Sequence, residues 1–422
     1  MRVWKWGIAT GAAAVLLAAT DPARVNSPVF EGAPRELAAG RSPKFLARGA
    51  QGLQMLSVRA TAGGKGQDLY LAASSDGGDT FADAIRVNDT AGEVTDHGEN
   101  SPLLSSSPDG GSLYAVWAAR DARTAMGSNI KFARSAGMRP AFSPAVTVND
   151  DGLPVSHSFQ TLGVAPDGTI YVAWLDGRDN PGHGGMHAAT ASVYLARSVN
   201  HGRSFEKNVK VAENICPCCR PSIAFAGDKV VLGWRWVEPG DVRDIFLATS
   251  GDKGQTWSKP ALVGRDGWKI NGCPHVGPAL ATLAGKVYAT WFSEGSGDPA
   301  IYLAASPDAG QTFGRKLKIS EGTTDPTHPT LTAGEGKLAV VFQARSASTD
   351  QGWGRVGVYY REIYPDGSMS ALVRLAEGKA NAGFPTVTLG LSGRIFVGWT
   401  ETAKGVSAAC LIRGRAPAQS RK

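Results

Sequence analysis

A single unit repeats along this chain and leaves few folds open to it. The segments DGGSLYAVW ending at Trp117, DGTIYVAW at Trp174, GDKVVLGW at Trp234, AGKVYATW at Trp291, EGKLAVVF at Phe342 and SGRIFVGW at Trp399 share one pattern. Each is a turn followed by an alternating strand that closes on a large aromatic, and each follows a short strand that usually begins near a proline. The middles of those preceding strands, Phe45, Leu103, Leu162, Ile223, Leu280, Leu331 and Val387, lie a mean of 57 residues apart. Self-similarity at this period, with about four strands per unit, predicts an all-β chain folded as a β-propeller of seven four-stranded blades around an axis. The 53 Gly and 24 Pro, spread between short Val/Ile/Leu/Tyr runs, supply the turns such a fold needs. Unit seven ends after its third strand, Val406 to Ile412. Val29 to Ala38 reads like the outer strands FADAIRVN and FGRKLKIS, so the N-terminus is expected to supply the missing fourth strand and close the ring. One domain over 21–413 then accounts for a length that a prior of about 150 residues per domain would split.

A second motif sits late in the unit. SSDGGDTF (Ser74 to Phe81), SGDKGQTW (Ser250 to Trp257) and SPDAGQTF (Ser306 to Phe313) fit S-x-D-x-G-x-T-W/F, SVNHGRSF (Ser198 to Phe205) keeps the spacing, and SAGMRPAF (Ser135 to Phe142) keeps only its ends. This resembles the Asp-box of sialidase-like propellers. A short acidic side chain accepts backbone N–H bonds in a tight hairpin and glycine supplies the turn geometry, so the role is structural. Sialidases have six blades, which makes a six-bladed ring the alternative to the seven counted here.

The ends read differently. Arg2 and Lys5 precede a short apolar stretch, GIATGAAAVLLAAT, which is expected to be a signal peptide over roughly residues 1–20 and implies a periplasmic or secreted protein. Its removal lowers the formal charge from +7 to +5. The remaining basic residues concentrate only in the tail, with residues 414–422 expected to be solvated, so no nucleic-acid partner is indicated. No later segment has the apolar length of a membrane span, and a monomer is expected.

Topology sorts the chemistry. With strands A to D from axis to rim, the C–D turns carry the S-x-D-x-G-x-T motif on one face, and the B–C loops and D–A crossings open onto the other. His97, His157, His275 and His328 fall at D–A crossings, and His183 and His187 fall in the B–C loop LDGRDNPGHGGMHAAT. Of the five cysteines, Cys216, Cys218 and Cys219 in CPCC and Cys273 in GCPH also fall at D–A crossings, while Cys410 sits in the apolar strand VSAACLI as a core residue. Chemistry is therefore expected on one face, near the axis between units four and five.

Four uses of that cluster are open. The cysteines pair as disulfides, which an oxidising compartment favours. Alternatively Cys216, Cys218, Cys219, Cys273 and His275 hold a transition metal, with His97, His157, His183, His187 and His328 as further ligands. C-x-C-C is not a zinc-ribbon spacing. Thiolate and imidazole groups, with Met126 and Met186 in reach, suit copper better than zinc, with Arg220 and Asp241 as supports.

Third, the resemblance to sialidases implies glycoside hydrolysis of acidic sugars, with an arginine triad, a tyrosine nucleophile paired to a glutamate, and an aspartate acid/base. Arg178, Arg220, Arg235, Arg243 and Arg345 are the candidate substrate-binding residues, and Arg120 shares their face. The early R-I-P motif of that family is absent from SPKFLARGAQG, and no tyrosine has a clear glutamate partner, so no catalytic residue is assigned. Over residues 210 to 315 the chain is similar to exported bacterial Asp-box proteins that combine C-x-C-C with a later G-C-P. That resemblance implies a fold and a paired-cysteine architecture. Fourth, the face binds a small molecule, a glycan or a periplasmic protein through its Gly-rich loops, with Trp236 and Trp353 as stacking surfaces.

Overall fold

The computed structural model describes residues 27–136, 141–179, 191–345, 354–376 and 380–416. Among them there is no helix, and the strands form seven small antiparallel sheets. Blade III shows the plan: His157–Val164, Ile170–Asp176, Ala191–Ser198 and Val209–Ile215 run from axis to rim in chain order. Blades I, IV, V and VI repeat it, with inner strands Arg41–Arg48, Ser222–Ala226, Ala279–Leu283 and Thr324–Gly334. Blade II adds a short strand, Val94–Thr95, beside the end of its second strand. The fold is a seven-bladed β-propeller. In blade VII the order is Asn381–Leu389, Arg394–Ala403, Val406–Arg415 and then Val29–Ala39, so the N-terminal segment is the outer strand that closes the ring. Val29 lies opposite Arg415 and Ala39 opposite Ala408. The sheet thus reaches two residues past Arg413, and Arg415, paired with Glu31 at 3.3 Å, belongs to it rather than to a solvated tail.

The aromatic that ends each second strand is the wedge between blades. Trp117, Trp174, Trp234, Trp291, Phe342 and Trp399 are all fully buried. Trp234, for example, packs with Tyr171, Leu195 and Phe246 across the seam of blades III and IV. Burying such a side chain contributes roughly 1.5–3 kcal/mol at six of the seven seams, and Phe45, Leu53, Met55 and Phe396 fill the seam of blades VII and I.

The S-x-D-x-G-x-T turns repeat one hydrogen-bond pattern. Ser250 Oγ donates to Asp252 Oδ1 (2.7 Å) and accepts from the Gly254 N–H (2.8 Å), while Thr256 donates its N–H and Oγ1 to the carboxylate (2.8 and 2.6 Å). The same four bonds hold the turns at Asp76 and Asp308, and Asn200 replaces the carboxylate in the fourth turn. The glycine is required twice over: Gly202 has φ +75°, and a Cβ there would lie 2.3 Å from the Phe132 ring of the preceding blade. Bonds from Thr312 and Ser306 hold the Asp308 carboxyl down at about 2, against its ordinary 3.8. A depressed carboxylate stabilises the fold above the unfolded pKa and stops doing so as pH falls through the folded one. The stability gap between the wild type and Asp308→Ala should therefore be constant above about pH 5 and shrink as pH falls from about 4 toward 2. Urea titrations across that range check it, and a gap independent of pH would contradict it.

Candidate functional site

The inner strands begin with an irregularity that builds the mouth of the axis. In blades I, III, VI and VII the pairing register shifts at this point, and Ser42, Phe159, His328 and Phe384 adopt left-handed φ of 53–55°. Such angles are costly for a bulky non-glycine residue and concentrate at functional sites. The sequence marks the position: Ser42, Ser101, Arg220, Gly277, His328 and Phe384 each precede a proline, with Phe159 before Gln160 in the third unit.

Charge gathers at this mouth. His328 Nε2 lies 3.9 Å from Glu99 Oε1, and the Gly277 N–H donates to Glu99. Arg220 reaches past blade III to the Ser101 carbonyl (2.7 Å) and hydroxyl (3.1 Å). Gly277 has to be glycine, because a Cβ there would lie 2.0 Å from the Arg220 carbonyl oxygen. Burial and the Arg220 guanidinium lower Lys44 to about 7, burial raises Glu99, and burial with the nearby His275 lowers His328 to about 4. Arg220 Nε and His328 Nδ1 are buried without hydrogen-bond partners among the described residues. His97, exposed, stands edge-on to Phe159 (5.7 Å), and His328 stands edge-on to Phe384 (4.7 Å).

The thiols lie beside blade IV on the two crossings that flank it. Cys216, Cys218 and Cys219 follow the outer strand of blade III in one tight turn, with sulfur separations of 3.7 Å (216–218), 3.9 Å (218–219) and 3.2 Å (216–219). Cys273 and His275 arrive on the next crossing, and the ligand atoms of Cys218, Cys273 and His275 lie within 4.8 Å of one another, as do those of the three clustered thiols. Cys218 therefore belongs to both groups. Tetrahedral thiolates at 2.3 Å from a metal stand about 3.8 Å apart, close to two of the observed distances. A disulfide requires about 2.05 Å, and no disulfide joins any two of the five cysteines.

Cys216 is the anionic centre of this nest. Thiol hydrogen bonds from Cys218 and Cys219, then the guanidiniums of Arg235 and Arg243, pull its pKa far down, while Cys218 and Cys219 are pushed up. Arg243 Nη1 lies 3.2 Å from Cys216 Sγ and its Nε donates to the Ile270 carbonyl. The expected supports stand elsewhere: Arg220 points to Ser101, and the Asp241 carbonyl accepts from the Ile270 N–H. Arg243 lies two residues ahead of the strand Ile245–Ser250, tied to the next crossing by its N–H to the Trp268 carbonyl (2.8 Å).

The remaining candidates separate. His157 is fully buried, with Nδ1 2.6 Å from the Ser128 carbonyl and Nε2 3.0 Å from Asp151, in a network with Asp176 between blades II and III. It is away from the thiols and satisfied within the protein. Arg178 is saturated by Asp150 and Asp176, and Arg235 by the carbonyls of Val276, Arg243 and Phe292. Arg345 lies 3.6 Å from Asp325. Trp236 stacks edge-on against Phe246, and Cys410 is in the core of blade VII. His183, His187, Met186 and Trp353 lie outside the described residues. A tyrosine–glutamate contact does exist: Tyr360 and Tyr364 donate to Glu362 (2.9 and 2.7 Å), beside Lys337. It lies at the turn end of blade VI, where Phe30 packs on Tyr360, on the face away from the mouth. Lys44 and Glu99 were missed from sequence, although the residue–proline step repeated in six inner strands pointed to them, and Arg243, expected as a substrate-binding residue, stands instead beside the thiols.

No protein-family profile and no curated relative matches the chain. Solved structures do. An ulvan lyase of a polysaccharide lyase family, bound to -[GlcA(1-4)Rha3S]-, aligns with TM-score 0.56 at 12% identity over 91% of this chain and 95% of its own. A protein of unknown function from Dyadobacter fermentans gives 0.53 at 17% over 77% and 98%. An alpha-L-arabinanase of Penicillium chrysogenum in complex with arabinobiose gives 0.51 at 14% over 74% and 92%. At these identities the likeness is one of fold, and it places this chain among propellers that include carbohydrate-active enzymes.

Proposed function

We propose that this is an exported propeller whose axial face carries a copper(I) centre built from Cys216, Cys218, Cys219, Cys273 and His275. The observation that carries the reading is the overlap of two ligand triads at Cys218, from crossings 54 residues apart in the chain. Thiolates select soft ions. The guanidiniums of Arg235 and Arg243 supply positive charge against the thiolates of such a centre. The test is anaerobic copper(I) titration of the reduced protein against a chromophoric chelator. One equivalent should bind with thiolate-to-metal absorption, Cys218→Ser should abolish it, Arg243→Met should weaken it roughly 10–100-fold, and Cys410→Ser should leave it unchanged. A protein that binds no copper when reduced, and loses mass by thiol pairing when isolated, would establish the disulfide reading instead.

A second reading is favoured by a separate observation. Lys44 and Arg220 stand with the carboxylates of Glu99 and Asp96, the second already paired with Arg41, and two buried side-chain nitrogens at this mouth, Arg220 Nε and His328 Nδ1, have no hydrogen-bond partner among the described residues. A mouth with that surplus of positive charge suits an acidic glycan, in line with the -[GlcA(1-4)Rha3S]- bound by the ulvan lyase of similar fold.

A further inference from the structure

A cleft of about 590 Å³ opens off the axis between blades I and II, lined among others by Arg41, Lys65, Thr95, Asp96, His97 and Arg120. Asp96, its carboxylate, is buried and already taken: Arg41 Nε lies 2.8 Å away and Ser42 Oγ 2.9 Å. Lys65 and Arg120 are exposed and have no ion-pair partner among the described residues. The cleft adjoins the hub: His97 in its lining stands 5.7 Å from Phe159 of the mouth, and Arg41 in its lining shares the inner strand Arg41–Arg48 with Lys44. A line of cationic side chains, Arg120 and Lys65 in the cleft and Lys44 and Arg220 at the hub, is thus interrupted only by Arg41, which Asp96 neutralises.

A single acidic sugar at the axis would use only the inner end of that line. Resting on the acidic-glycan reading of the mouth, we propose that hub and cleft together bind a linear polyuronate, with one carboxylate on Lys44 and Arg220 at the axis and a second on Lys65 and Arg120. One carboxylate per sugar fits better than a more highly charged group, because Glu99 at the hub and Asp96 at the threshold repel a dianion. The wall also favours sugar over acidic peptide. Ala60, Gly64 and Gly66 shape a smooth wall without large side chains, and Gln67 adds a polar group to it.

The experiment is calorimetric titration of the full chain with galacturonate, tetragalacturonate and tetraglutamate. The tetrasaccharide should bind at least about tenfold tighter than the monosaccharide, because the second contact becomes intramolecular, and its affinity should fall with salt. Lys65→Ala combined with Arg120→Ala should remove that gain and leave monosaccharide affinity in place, while Arg220→Gln should weaken both sugars. Equal affinity of mono- and tetrasaccharide would overturn the extended site and leave the glycan reading standing. Tetraglutamate binding as tightly as the tetrasaccharide would overturn the sugar class. Failure of every ligand with protein of unchanged melting temperature would remove both readings, and copper titration of the same sample reports on the metal centre separately.

Discussion

Removing Val29–Ala39 should cost about 4–6 kcal/mol of stability and increase self-association. The strand contributes Phe30 against Tyr360 and Leu37 in the seam of blades I and VII, each worth up to roughly 1.5–3 kcal/mol, and its ladder bonds to Val406–Arg415 add to that. Without it, that strand becomes a bare sheet edge of ten residues, a template for a second chain. Urea unfolding and light scattering of the truncated protein check both effects. A synthetic Val29–Ala39 peptide should restore the full-length protein's state of association by strand addition. Truncated protein with unchanged association and an unchanged midpoint would mean that the ring is held without its closing strand.

Arg235→Ala has the next largest effect, a loss of about 3–5 kcal/mol together with weaker metal binding. The side chain is fully buried and its three donors serve the carbonyls of Val276, Arg243 and Phe292 at 3.1, 2.7 and 2.8 Å, with the guanidinium over the Trp268 ring. Truncation leaves three buried acceptors without partners, each costing about 1–3 kcal/mol, and a cavity beneath the indole. It also takes one positive charge from beside Cys216. Arg235→Met fills the volume but supplies no donors, so it should recover only the cavity part. If Arg235→Met were as stable as the wild type, the hydrogen bonds would not be what holds the crossing of blades IV and V. Thermal melts of both variants, with copper(I) titration of whichever folds, separate the structural from the electrostatic share.

The ring was legible because its determinants are local and repeated. The strand-ending aromatics, the S-x-D-x-G-x-T turns and the short seventh unit each state their role within about ten residues of chain. Convergence of Cys216, Cys218 and Cys219 with Cys273 and His275 was legible at one remove, since neighbouring crossings must adjoin at the hub. Side-chain direction was not. His157 shares a crossing with the face residues yet turns between blades toward Asp151, and Arg235 turns inward from the end of a strand whose neighbour, Trp234, fills the seam. Both choices are set by which backbone groups lack partners across a seam, a long-range quantity. Lys44 and Glu99 have no distinctive neighbours in sequence; the strand bulge and the blade opposite give them their surroundings.

The pairing of Val29 with Arg415 joins the first described strand to the last. Contacts separated by almost the entire chain are the slowest to form, because loop-closure entropy must be overcome before they reward it. The sulfur nest draws on a stretch from Cys216 to Cys273 alone, a far shorter loop to close. Assembly of the thiol nest and closure of the ring thus call on contacts of very different reach along the chain, and the nest needs none that wait for the clasp.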